Sequence, residues 1–242
     1  ERHLWGKWRH LGIVRRFILV WGGISAVALI ALANQIGSLT DYYLTKGQQA
    51  GGVYTEGVVG EIKTINPILP EGAASADAAK LVFSGLTRLN DQRQIEPDLA
   101  ESWEISEDGK TYTFHLRGGV KWHDGVPFTA QDVEFTLLAI QTPDTRSPLA
   151  ASWQGVEVSA EGERTVIFKL PNAYSPFLHA TTLGILPRHK LELVEPKSLR
   201  VHDFNQKPIG TGPFKVQVFK ASNQEIDLVT DTSFYRGKPL LA

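Results

Sequence analysis

The sequence predicts a mixed α/β fold set behind an N-terminal hydrophobic helix. Three observations predict it. Two stretches alternate apolar and polar residues around an Asp-Gly or Glu-Gly pair, the pattern of β-hairpins. Thr129 to Ile140 opens with helix-capping residues and continues without a breaker. Phe17 to Ala33, "FILVWGGISAVALIALA", contains no charge at all.

The hydrophobic run comes first in the chain. Arg15 and Arg16 precede it, and at about 1.5 Å per residue it nearly crosses a hydrocarbon layer of about 30 Å; Ile36 to Leu39 complete the length. The flanking positive charges place the N-terminus in the cytoplasm and everything after Leu39 outside. Ala31-Leu32-Ala33 also fits the small-x-small pattern of a signal-peptidase site, which would leave a new start at Asn34. The length of the run and of its basic lead favours an uncleaved anchor over that cleaved signal. Either way the body is expected to be exported.

Charge and composition narrow the rest. The first sixteen residues hold five Lys/Arg (Arg2, Lys7, Arg9, Arg15, Arg16) and one acid, whereas the remainder has 20 basic and 25 acidic residues. A net-acidic body argues against nucleic acid as a partner. There is no cysteine, so disulfides, thiol catalysis, cysteine-ligated zinc and a lipid on an N-terminal cysteine are excluded. The sequence begins with Glu and contains no Met, which reads as a piece of a longer chain. No repeat or low-complexity tract is present.

The body unfolds in order. Residues 40–52, "TDYYLTKGQQAGG", read as a polar linker. Val53 to Gly60 reads as a first strand. Ile62 to Gly72, with Pro67 and Pro70, must be extended and irregular; Asn66 there fixes a turn. Ser75 is placed to cap a helix that ends near Gly85. In "WEISEDGKTYTFHLR" the turn is Asp108-Gly109, with Tyr112, Phe114 and Leu116 on the apolar face and His115 on the polar one. "VEVSAEGERTVIFKL" turns at Glu161-Gly162 and aligns Val166, Phe168 and Leu170. "PNAYSPFLHATTLGILPRHKLE" is loop, short helix and Pro-terminated segment. In "PIGTGPFKVQVF", Gly210, Gly212 and Pro213 form a turn feeding another strand. That turn lacks the Lys-Ser/Thr ending of a phosphate loop.

Between the hairpins lies "GGVKWHDGVPFTAQDVEFTL", Gly118 to Leu137. Its His123-Asp124 pair invites a catalytic reading. Thr129 with Asp132 three residues on makes a capping box, and Phe128 with Val133 makes a hydrophobic staple, so a helix over Ala130–Ile140 follows. Asp124-Gly125 supplies a tight turn and Trp122 is large enough to pack beneath it. Neighbouring side chains diverge and no nucleophile is placed nearby. The Trp-His-Asp-Gly corner is therefore read as structural, with His123 replaceable at little cost. No catalytic residue, metal ligand set or cofactor motif is identified: the seven histidines show neither HExxH nor His-x-His spacing.

The ordered string from "LVFSGLTRLNDQRQIEPDLAESWEISEDGKTYTFHLR" through "GGVKWHDGVPFTAQDVEFTL", then "PIGTGPFKV" and "YRGKPL", resembles the bacterial extracellular solute-binding proteins of family 5. These are the peptide- and nickel-binding receptors of ABC importers. The resemblance runs from about Val53 to the C-terminus and rests on several motifs in order. It implies a mixed α/β, periplasmic-binding-protein type II-like two-lobed clamp, of which this chain holds the first lobe and an inserted subdomain. The lobe core would be 53–76 with 195–242, and the insert 77–194. The second lobe would lie beyond Ala242, which puts independent ligand affinity in doubt, and the N-terminal helix would replace the missing lipid-bearing cysteine.

By position, the resemblance places Glu71 and Gly72 where the first lobe meets ligand, Trp153 where an aromatic lines the cleft, and Thr181, Thr182 and Leu183 on the facing loop. Trp153 reads equally well as core and Glu71 as a solvated loop charge. The implied partners are a peptide or other small solute, permease subunits of an ABC transporter, and the membrane through the N-terminal helix. Two other functions compete: an anchored peptide sensor or chaperone-like protein, and a secreted hydrolase, for which no nucleophile–base pair is visible.

Overall fold

The structure, a computed structural model, describes residues 2–44, 51–220, 222 and 224–241. It divides into two units, Glu1–Gln49 and Ala50–Ala242.

The first unit is one helix, α1 (Arg2–Leu44). Its segment Arg15–Ser38 is 24 residues long with a mean hydropathy of 2.1. At about 1.5 Å per residue this is long and apolar enough to cross a membrane. Its large apolar side chains, among them Phe17, Leu19, Val27 and Leu29, are exposed, as lipid-facing residues would be. The helix continues to Leu44 where a linker is expected from Thr40, because nothing in Thr40–Leu44 breaks helical backbone. Residues 45–50 of that linker lie outside the described residues, and Gly51-Gly52 at its end are irregular.

The second unit opens with a departure from expectation. Val53–Gly60 forms no strand. Val53 and Val59 are almost fully exposed, and no described segment bonds to this stretch. A strand exists only through its ladder partner, so the apolar pattern alone does not make one. The Pro-containing segment that follows is irregular, as expected. Its Asn66 does fix a turn: Oδ1 accepts from Ile68 N–H at 3.1 Å, and Nδ2 donates to Asn205 Oδ1 at 2.8 Å.

Helix α2 (Ala73–Val82) starts before Ser75, with Gly72 at its N-cap. Ser75 is buried inside the first turn, and its Oγ accepts from Lys63 N–H at 3.2 Å. Gly72, at φ 89°, adopts a cap conformation that a serine would resist. The helix stops at Val82, short of Gly85. Phe83 onward is pulled out straight by pairing with a distant loop: Ile185 N–H donates to Ser84 O, and Leu86 N–H to Thr181 O.

The two hairpins join in one antiparallel sheet of order β3-β4-β6-β5, from β3 (Ala100–Ile105), β4 (Thr111–Leu116), β5 (Glu157–Glu161) and β6 (Thr165–Lys169). Tyr112, Phe114, Leu116, Val166 and Phe168 are all buried, as their alternation predicts. Helix α3 (Ala130–Gln141) covers that face through Val133, Leu137 and Ile140. Phe177, from the single turn α4 (Phe177–Ala180), wedges against Tyr112, Trp153 and Phe168 at ring distances of 4.7–5.8 Å. His115 lies on the outer face, 3.5 Å from Glu104. A small hairpin precedes the sheet, β1 (Thr87–Leu89) with β2 (Ile95–Pro97). After α5 (Arg188–Leu191) and two 3-10 turns, a last hairpin pairs β7 (Phe214–Lys220) with β8 (Glu225–Thr230).

Candidate functional site

The residues singled out from the sequence do not converge on one pocket. Glu71 and Gly72 sit at the surface, at the start of α2. Glu71 pairs with Arg200, Oε1 to Nη1 at 2.9 Å, and Arg200 also donates to Arg146 O at 2.9 Å. This ties the irregular segment to two distant turns. Arg146 is held at φ 52°, a left-handed conformation uncommon for a side-chain-bearing residue, and thereby presents its carbonyl to Arg200.

Trp153 and Thr181 are interior residues, at 6% and 3% exposure. Trp153 is core, packed on Phe168 and Phe177. Thr181 shares a hydrogen bond of 2.8 Å with Thr87 Oγ1. With Leu183, Leu86, Leu137 and Ile140 they surround a cavity of about 20 Å³. That is room for about one water molecule and far below the several hundred Å³ of a ligand pocket. Thr182 and Leu183 are half-buried; Thr182 Oγ1 donates to His179 O at 2.8 Å. What reaches solvent from the six is therefore Glu71, Gly72 and parts of Thr182 and Leu183.

The Trp-His-Asp-Gly corner is tied down by polar contacts in three directions. Trp122 is 2% exposed and donates through Nε1 to Asp132 Oδ2 at 3.3 Å. The same carboxylate accepts from Thr129 N–H at 2.9 Å, the capping contact, and from Arg188 N–H at 2.9 Å. Burial pushes the Asp132 carboxyl up from the usual range, against the pull of these three bonds. Asp124 turns the other way, to His189 Nε2 at 2.9 Å and Lys190 Nζ at 3.1 Å. Partial burial opposes ionisation there, but the two bonds prevail and hold the carboxyl low. His123 points elsewhere again. Its Nε2 lies 2.9 Å from Gly212 O, and its Nδ1 accepts from Gly210 N–H at 3.2 Å. The pair diverges as expected, yet His123 is no spectator. It pins the Gly210–Gly212 turn, so its removal is expected to cost stability, contrary to the sequence-based expectation.

A second buried cluster was invisible in the sequence. Asp98, 5% exposed, accepts from Tyr235 Oη at 2.7 Å and pairs with Arg236 at 3.4 Å. Arg117 lies over the Tyr235 ring and donates to Asp98 O at 3.2 Å. Burial raises both the Asp98 carboxyl and the Tyr235 phenol. The "YRGKPL" motif thus anchors the end of the chain to the start of β3. Only the pairing of an acidic residue with a distant Tyr-Arg could have signalled it. Among the described residues no cluster of metal-ligating side chains occurs.

Residues 94–242 match the family described as bacterial extracellular solute-binding proteins, family 5 (middle region). The chain belongs to this family. Its relatives include the oligopeptide-binding protein AppA of Bacillus subtilis, 33% identical over 80% of this chain and 36% of its own length. The dipeptide-binding protein of Escherichia coli is 30% identical over 84% of this chain and 39% of its own length.

Family structures share the fold. The oligopeptide-binding protein AppA of Bacillus subtilis, solved with a nonapeptide, superimposes with a TM-score of 0.75 at 32% identity, over 80% of this chain and 39% of that one. NikZ from Campylobacter jejuni, solved with Ni(L-His), gives 0.68 at 35% identity, over 80% and 38%. The mixed α/β body is therefore a periplasmic-binding-protein fold carried with an N-terminal apolar helix. The chain spans less than two fifths of the length of these relatives.

Proposed function

We propose that this chain is the ligand-binding part of an extracytoplasmic receptor for an ABC importer, capturing short peptides by main-chain hydrogen bonds in a cleft between two lobes. Family membership carries this reading. The relatives named above bind an oligopeptide, a dipeptide and a nickel–histidine chelate by their own names and titles, and peptide is the commoner ligand among them. Extended peptides are held through backbone groups, which irregular loops offer and regular elements do not.

In this reading 53–76 with 195–242 form the lobe core and 77–194 an inserted subdomain. Glu71 and Gly72 meet the ligand, with Thr182 and Leu183 partly exposed on the facing loop, while Thr181 of that loop and Trp153 are buried beneath it. Helix α1 holds the body at the outer face of the membrane, near the permease subunits.

One lobe offers half of a cleft. Each missing hydrogen bond to a charged peptide terminus is worth about 1.5–3 kcal/mol. Losing two weakens binding by roughly two to four powers of ten. A pool of short peptides should therefore bind the 242-residue chain weakly, with amide shifts in NMR spectra concentrated at Glu71–Ala73 and Thr182–Leu183. Micromolar affinity would overturn the two-lobe reading. Saturable shifts elsewhere would overturn the assigned residues, and no shift at all at millimolar peptide would favour a different ligand class.

A further inference from the structure

His123 is bound to the Gly210–Gly212 turn by three contacts. Its main-chain N–H donates to Gly210 O at 2.9 Å, its Nδ1 accepts from Gly210 N–H, and its Nε2 faces Gly212 O. A carbonyl oxygen only accepts and an amide N–H only donates. The ring is therefore the neutral Nε2–H tautomer, with Nδ1 bare.

The turn has no freedom on its other side. Gly212 N–H donates to Val82 O at 2.8 Å, and Ser84 Oγ approaches Thr211 O at 3.4 Å. A Cβ on Gly212 would stand 2.6 Å from Val82 C. The turn is thus clasped between the histidine and the end of α2.

Protonation at Nδ1 would set one N–H against another and remove the ring's only acceptor. We propose that His123 is an acid-sensitive latch, whose protonation frees the Gly210–Gly212 turn, and with it the end of α2, from the Trp122–Gly125 corner.

The charged neighbours do not cancel this. Lys215, from β7, donates to His123 O at 3.3 Å and resists a second positive charge; it is paired with Asp231, just after β8, at 3.0 Å. Asp231 and Asp124 favour the imidazolium, but Asp124 is occupied by His189 and Lys190. Burial is the largest influence and holds the ring below the ordinary histidine range. The unfolded chain therefore takes up this proton at a higher pH than the folded one. The contribution of His123 is complete above about pH 6.5 and is lost as pH falls below it. Only the physiological use of such a latch rests on the proposed exported location, where pH follows the surroundings.

Amide hydrogen exchange on the full chain, corrected for the intrinsic effect of pH, tests the latch. Between about pH 7.5 and about pH 5, protection at Gly210 and Gly212 should fall, by at most about tenfold per pH unit for one proton. In His123→Gln, which cannot titrate, it should stay flat. Nitrogen-15 spectra of the unaltered protein should show the Nε2–H tautomer at neutral pH, a measurement that stands even if the variant fails to fold. Constant protection in the unaltered protein, the same pH slope in His123→Gln, or an Nδ1–H tautomer would each overturn the proposal.

Discussion

Two regions of the body use glycine for opposite reasons. In the four-stranded sheet, Gly162 sits at φ 66° with open space where a side chain would go. It is there for its backbone conformation. At the crossing of Leu81–Leu86 with the loops 181–185 and 208–213, Gly85, Gly184, Gly210 and Gly212 have no such φ, but a Cβ would collide. The distance would be 2.6 Å to Thr182 C from Gly85 and 2.6 Å to Phe83 Cβ from Gly184, and Gly210 would overlap the Val82 carbonyl oxygen. Gly85, Gly210 and Gly212 are there because main chains touch, and Gly184 because the Phe83 and Pro67 side chains press against it. The sheet is built by local code, whereas the crossing is built by the absence of side chains.

Three substitutions grade that difference. The largest effect is expected for Gly210→Ala. The opposing atom is backbone and cannot swing aside, so a loss of roughly 4–5 kcal/mol or more, seen as little or no cooperative melting, is expected. A normal melting transition would dissolve the distinction between the regions.

Trp122→Ala comes next. It empties a large buried aromatic site packed on Phe128 and His189, at a cost of about 3–5 kcal/mol in denaturant unfolding. It also leaves the Asp132 carboxylate without one of its donors. A loss well under 2 kcal/mol would mean that the corner repacks around the gap.

The smallest is Gly162→Ala. Here only the left-handed conformation is penalised, at about 1–2 kcal/mol. A cost approaching that of Gly210→Ala would show that the sheet turn, too, is sterically confined.

The same division explains how much could be read beforehand. The hairpins, the turns at Asp108-Gly109 and Glu161-Gly162, the capped helix from Ala130 and the buried Trp122 depend on residues within a dozen positions of one another. Their patterns survive in the fold, except that the second turn moves one residue on, to Gly162–Arg164, because Glu161 still pairs with Thr165. Val53–Gly60 carries an apolar pattern of similar strength and yet is no strand, since a ladder needs a partner that no local pattern supplies. Ser75 fits a cap by type, but Gly72 took that place because its φ is easier there. The six site residues were named individually by resemblance, and nothing in their spacing could say that Trp153 and Thr181 would be sealed inside.

By itself the sequence determined the class of the fold, the membrane-length helix, the two hairpins with their apolar faces and the structural nature of the Trp-His-Asp-Gly corner. Each follows from short-range rules: alternation, capping, turn conformation and hydrophobic length. Tertiary structure alone decided that the hairpins share one sheet, that Asp98 receives Tyr235 and Arg236, that Glu71 is held by Arg200, and that His123 closes on Gly210 and Gly212. Those contacts join residues some 50 to 140 positions apart. Their geometry is fixed only when burial brings the partners together and removes the water that would otherwise satisfy them.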